Sequence, residues 1–270
     1  MALESAKGVA EHSFCNLHSA ISNAIGLILV AHNSQPHRPD WPALFFACTY
    51  PTLLTLIYFI WLAGAGSTAQ QAAYSIGKII QFGFPLAWVG LVCRERLRWP
   101  KFNTRGLTQG IGFGLLIATG IFALYFGYFR AAGTFAAAGK KMLTELSGIG
   151  VTSPAIYAGV AIFYSLLHSL LEEYYWRWFV FGRMRNLIPL SPAITLSSLA
   201  FMGHHVVVLG LYFGWTNPWM YFFALATAVG GAFWAWLYNK TGSIYGPWAS
   251  HLLIDAAIFA VGYDLIHAAS

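Results

Sequence analysis

The stretch PAIYAGVAIFYSLLHSLLEEYYWRWFVF, Pro154–Phe181, decides how the rest of the chain is read. It exceeds the roughly 20 mainly apolar residues that a membrane-spanning helix needs, and it has no proline after its first residue. Yet Glu172, Glu173 and Arg177 sit inside it. An ionisable group within a span costs on the order of 2.5–3.5 kcal/mol, so such groups mark function or paired structure. Two adjacent acids in hydrocarbon-like sequence need a physical reason.

The chain around this stretch has the same character. Its 270 residues are 58% hydrophobic, 17% aromatic and 9% charged, with a mean hydropathy of +0.60. A soluble domain of this size carries about 25% charged residues. The deficit points to an all-α, polytopic transmembrane helical bundle. Besides Pro154–Phe181, the apolar runs Trp41–Gly64, Leu107–Phe129, Ser191–Phe213, Asn217–Tyr238 and Ile244–Ile266 read as spans. Ser75–Val92 reads as a weaker span, interrupted by Lys78 and Gln81 near one end, where a lysine could snorkel to the interface. Phe14–Ala31, with Asn16, His18 and Asn23, reads as an interfacial or short spanning helix. The expected fold is therefore a bundle of about seven to eight spans with its site in the C-terminal half. Residues 1–40 form an N-terminal segment, 41–153 the N-terminal membrane helices and 154–270 the site-bearing ones, all within one structural domain.

The net charge of +6 does not point to nucleic acid, because the basic residues occupy short loops between apolar runs. Arg94, Arg96, Arg98, Lys101 and Arg105 fill one loop, with Arg183, Arg185 and Lys240 on the same side; that richer side is expected to be cytoplasmic. Cys15, Cys48 and Cys93 are scattered and fit neither a metal cluster nor a disulfide framework. The first 20 residues lack a basic segment followed by an apolar run and a cleavage site, so no removable signal peptide is expected.

The ionisable residues inside spans are His168, Glu172, Glu173, Arg177, His204, His205, His251, Asp255 and Asp264. Adjacent helical residues diverge by about 100°, whereas i and i+4 share a face. Glu173 stands four before Arg177, an order that suits an ion pair. Glu172 has His168 and Trp176 on its own face and no intrahelical cation, so its partners must come from other helices or water. Of the adjacent His204 and His205, one is expected to face it. His205 shares a face with Phe201, and His251 shares one with Asp255. Counted from the inferred cytoplasmic ends, Glu172, His205 and His251 lie roughly 15, 20 and 10 Å deep. They are placed to converge in the cytoplasmic half.

The ordered set EEYYWR (Glu172–Arg177), FMGHH (Phe201–His205) and HLLID (His251–Asp255) resembles the CAAX-protease and bacteriocin-processing (CPBP) family of intramembrane endopeptidases. The resemblance covers roughly Pro154–Ile266. It implies a glutamate-dependent membrane protease acting on a membrane-bound peptide or protein substrate, prenylated in the CAAX-processing branch. Carried over by motif position, Glu172 is the general base and His205 helps it hold the attacking water. His251 and Asp255 bind the oxyanion, with Asp255 either protonated or orienting His251; Glu173 and Arg177 support the site. No metal is required on this reading. Zinc is the alternative, and Glu172, His205 and His251 would then hold it. There is no H-E-x-x-H helix. The implied partners are the substrate and the lipid bilayer, in the cell membrane if the chain is prokaryotic. Two rival readings keep the same helices: a scaffold or immunity protein without turnover, and a proton-coupled transporter. Many transporters show internal repeats, and none stands out here.

Overall fold

The computed structural model describes residues 40–63, 66–97 and 101–268, all of them helix, turn or loop without a strand. Phe14–Ala31 and Arg98 lie outside the described residues. Among the described residues, seven helices are long and apolar enough to cross a membrane: α1 (Trp41–Trp61), α2 (Thr68–Val92), α3 (Thr104–Phe129), α5 (Pro154–Leu187), α6 (Leu190–Phe213), α7 (Pro218–Thr241) and α8 (Tyr245–His267). An eighth helix, α4 (Ala136–Gly148), joins α3 to α5. The all-α polytopic bundle read from the sequence is the observed fold.

Local chemistry sets the helix ends. Asn103 accepts from the Gly106 amide (2.7 Å), Ser153 from Ile156 (3.3 Å) and Asn217 from Trp219 (3.0 Å). Each side chain satisfies one of the open amides of a first turn. Pro42, Pro154 and Pro218 occupy first-turn positions, where no amide hydrogen is needed. Gly242, at φ +62°, closes α7 in the left-handed conformation that glycine takes at low cost.

Two differences from the sequence reading stand out. Helix α2 starts well before Ser75, so Lys78 is eleven residues into a 25-residue span and not at its end. Snorkelling is therefore not its arrangement. Helix α4 lies outside the apolar runs read as spans, and Lys140 and Lys141 lower its apolarity. It is amphipathic and lies on α6: Lys141 donates to the Leu211 carbonyl (3.0 Å) and Glu145 accepts from Tyr212. Close to it, Asp264 holds Arg130 (2.8 Å) and the Tyr125 hydroxyl (2.7 Å), tying α8 to α3. Asp264 thus lies apart from the other intramembrane acids.

The opposite end of the bundle is closed by a charged clasp. Arg183 of α5 grips Glu95 with both terminal nitrogens at 2.7 Å and reaches Asp40 at 3.3 Å. Trp88 also donates to Asp40 (3.0 Å). The clasp holds the start of α1, the end of α2 and the end of α5 together. Inside α1, Pro51 removes one helical hydrogen bond and frees the carbonyl four residues back. That carbonyl, of Ala47, accepts from the Tyr175 hydroxyl of α5 at 2.9 Å. Large apolar side chains such as Phe45, Leu91, Leu116 and Leu225 point outward, as a surface bathed in lipid requires.

Helices α3 and α8 approach most closely, and glycine is the reason. Gly106, Gly110 and Gly114 recur every four residues on one stripe of α3, all buried. A Cβ on Gly110 would collide with the backbone of Gly246, and one on Gly114 would lie 2.9 Å from the Ser250 Cα. Small residues at this spacing let membrane helices pack backbone to backbone. The contact sets the position of α8 one residue away from His251. Gly110→Ala should therefore cost about 1–3 kcal/mol of thermal stability by overpacking. Gly112→Ala, which meets nothing within 4 Å, should leave stability unchanged or raised. Thermal unfolding of both variants in detergent checks the pair.

Candidate active site

The backbone of α5 changes pitch around the two glutamates. One α-helical turn, Ser169–Glu173, lies between two stretches with wider i→i+5 turns, Phe163–His168 and Tyr174–Phe181. Such turns are frequent at functional sites because they re-aim side chains within a helix. All eight residues of Tyr174–Phe181 are buried, so this part of α5 runs through the middle of the bundle.

Glu173 has no exposed surface and carries two partners. Its Oε2 lies 3.0 Å from Arg177 Nε, and its Oε1 lies 2.9 Å from His251 Nδ1. A carboxylate only accepts, so the Nδ1 of His251 bears the hydrogen toward Glu173. The Arg177 contact is close but poorly aligned, and it holds through charge more than through a directed hydrogen bond. The Arg177 guanidinium also sits over the rings of Phe201 (4.8 Å) and Trp234 (5.0 Å), whose faces attract a cation.

Glu172, 4% exposed, is ringed by imidazoles. Its Oε1 is 3.5 Å from Nε2 of both His168 and His204, and its Oε2 is 3.7 Å from His251 Nε2. His205 Nδ1 contacts the Phe201 carbonyl at 3.0 Å, which leaves Nε2 for the site. Asp255 Oδ2 lies 3.6 Å from His251 Nε2. The rings are held by indoles: His251 stacks on Trp234 (4.3 Å between centroids) and His204 lies parallel to Trp176 (6.1 Å). Trp234 is fixed in turn by donating to Ser250 Oγ (2.9 Å).

The structure thus brings Glu172, Glu173, Arg177, His205, His251 and Asp255 into one cluster from α5, α6 and α8, with His205 and Asp255 partly exposed and the rest buried. Three details correct the sequence reading. Glu173 is not only the ion-pair partner of Arg177, because it also holds His251. His204 and His205 are not divided between site and packing: each offers a nitrogen near Glu172. The metal-ligand set that the geometry favours is Glu172, His204 and His205, whose donor atoms lie within 4.8 Å of one another, in place of a set with His251. Trp176 and Trp234 were not singled out as ring supports, and single-chain sequence gives no signal for them. His168 was legible from its i, i+4 spacing to Glu172.

Beside this cluster runs an apolar groove between α5 and α8, about 680 Å³ in volume and lined by Ala158, Ala161, Ser165, Leu252, Ala256 and Phe259 among others. Its Ser165 and Leu252 edge lies within one helical turn of His168 and His251.

Residues 154–257 match a family model described as type II CAAX prenyl endopeptidase Rce1-like. The match agrees with the resemblance of the three motifs, and it spans every charged residue of the cluster. It supports a membrane-embedded protease of the CAAX type. No curated protein and no solved structure matches the chain.

Arg177→Ala should destabilise the bundle strongly, on the order of 3–5 kcal/mol, because it strands Glu173 as a buried charge. Thermal unfolding in detergent reads this directly, and a normal midpoint would overturn the ion pair. Glu173→Gln combined with Arg177→Met should recover part of the loss, since no charge is then left unpaired.

Proposed function

We propose that the chain hydrolyses a peptide bond near the C-terminus of a lipid-anchored, membrane-associated substrate, with Glu172 activating water. The observation that carries this reading is a buried carboxylate ringed by four histidines beside a lipid-facing apolar groove. Water is a poor nucleophile, and a carboxylate within hydrogen-bond reach takes its proton as the oxygen attacks the carbonyl carbon. His204 and His205 hold the water against Glu172. The carbonyl π electrons move to oxygen, and His251 Nε2–H, when both ring nitrogens carry protons, donates to that oxyanion. Preorganised donors aimed at developing charge often supply the largest catalytic contribution. Collapse of the intermediate breaks the C–N bond, and the proton on Glu172 passes to the leaving amine.

The supporting residues act on His251. Glu173 fixes its Nδ1, and Asp255 faces its Nε2 from one turn away. We assign Asp255 an orienting role, since an ionised carboxylate would repel an oxyanion. The groove between α5 and α8 gives an apolar chain a place to lie while the anchored cysteine meets Glu172. The charge-rich clasp end is the cytoplasmic one on this reading.

No metal is required for these steps. Glu172, His204 and His205 would be the ligands if zinc were bound, and the ion would supply Lewis acidity and a more acidic water. Glu172→Gln should lower cleavage of a farnesylated peptide by at least about 10²-fold while leaving the unfolding midpoint near that of the unaltered chain; full activity in that variant would sink the mechanism. Strong chelators should leave turnover unchanged, whereas loss on chelation and recovery with zinc would favour the metal.

A further inference from the structure

The groove between α5 and α8 has a far end as well as an entrance, and the mechanism above uses only the entrance. Along α5 its lining runs from Leu166 and Ser165, beside the charged cluster, back to Pro154. Along α8 it runs the opposite way in sequence, from Leu252 to Tyr263. Small residues line it from both helices, Ala158 and Ala161 on one and Ala256 and Ala260 on the other, and their size leaves the space open. Between Ser165 and Tyr157 every lining side chain of α5 is hydrocarbon, and so is every one of α8 from Leu252 to Ala260.

Tyr157 crosses the far end. Its hydroxyl donates to the Phe259 carbonyl of α8 at 2.8 Å. Its ring centre lies 6.1 Å from that of Phe259 and 5.5 Å from that of Tyr263. Gly262 makes room for the crossing, since a Cβ there would lie 2.8 Å from the Tyr157 hydroxyl. A phenol hydroxyl among hydrocarbon side chains is costly unless it is bonded, so the bond to Phe259 holds the ring across the gap. Beyond it lies a second cavity of about 160 Å³, lined by Leu143 and Leu146 of α4 among others. Pro154, Tyr157 and Tyr263 line both cavities, which makes Tyr157 part of the partition between them. A surface that only faces bulk bilayer lipid needs no partition. This one begins at Leu252, next to His251, and is closed at a fixed distance, which is the form of a slot for one chain of limited length.

We propose that Tyr157 is a specificity-determining residue that stops the hydrocarbon chain of the substrate and so sets the length of lipid anchor the site accepts. This rests on the hydrolase reading above and adds to it which anchor is taken. The eight residues from Tyr157 to Ser165 cover roughly 12 Å of helix, a length suited to an extended farnesyl chain. A geranylgeranyl chain, one isoprene unit longer, would meet the Tyr157 ring before its anchored cysteine reached Glu172. A small side chain at this position would join the slot to the second cavity and lengthen it. A larger one would shorten it.

The test uses the full chain carrying Glu172→Gln, in detergent, with three fluorescent peptides that differ only in a geranyl, farnesyl or geranylgeranyl group on the same cysteine. Each affinity is corrected for partition of the peptide into empty micelles. The farnesyl peptide should bind roughly ten-fold or more tightly than the geranylgeranyl one, the scale on which an apolar pocket resolves chain length. Adding Tyr157→Ala should erase that preference by strengthening geranylgeranyl binding, with farnesyl binding little changed. Tyr157→Trp should move the preference the other way, to geranyl, and Tyr157→Phe, which keeps the ring, should keep it at farnesyl. Ala256→Leu, at an exposed position inside the groove, should weaken the two longer chains against geranyl. Equal corrected binding of farnesyl and geranylgeranyl by the parent protein overturns the proposal and marks the groove as a surface for bilayer lipid. Binding of none of the peptides overturns it too, as does a Tyr157→Ala protein that weakens all three alike, which would mark a packing role. Cleavage by the unaltered chain is measured separately. If it cleaves no peptide, the hydrolase reading fails, while the length preference is still decided by binding.

Discussion

Glu173 is the fixed point of this protein. A carboxylate with no exposed surface inside a membrane bundle survives only with compensation on every side. It receives that from Arg177 on its own helix and from His251 on α8. The two contacts lock the relative position of α5 and α8, and they fix which nitrogen of His251 faces Glu172. Arg177 is fixed in turn by Phe201 and Trp234, from α6 and α7. One charge thus recruits residues from four helices, and Glu172 is held beside it as the acid left without a cation in contact. The two neighbouring glutamates share one imidazole, with opposite nitrogens turned to each.

That arrangement requires α8 to sit close, which the glycine stripe of α3 permits. With Gly110 against Gly246 and Gly114 against Ser250, α3 serves as a flat backing that presses α8 toward α5. The clasp of Arg183 with Asp40 and Glu95 does the corresponding work for α1 and α2. Both devices use first-half residues to place second-half chemistry. The helices outside the family match therefore help to place the site.

Much of this was legible in the sequence, and the misses have physical causes. Six of the seven spans follow from length and apolarity alone. The start of α2 was missed because Gln70, Gln71 and Lys78 lower its apolarity, although Gln70 donates to Tyr58 and its neighbours pack on α1. The motif residues do converge, because i, i+4 spacing fixes a face. The sharing of His251 by both glutamates was not legible. It depends on where α8 lies and on wider turns in α5, and helical periodicity on one chain encodes neither. The every-fourth glycine of α3 was present in the sequence and could have been read as a helix-packing stripe.

The contact between Ala47 and Tyr175 bears on how the bundle is put together in time. Pro51 leaves the Ala47 carbonyl open in the core of α1, and its donor stands 128 positions further along the chain. During synthesis α1 reaches the bilayer long before α5 exists. An early helix thus enters lipid with an unfilled acceptor and must wait, with water or another group standing in. Docking of α5 fills it. Helix α1 gains this bond only when the helix that carries the glutamates arrives.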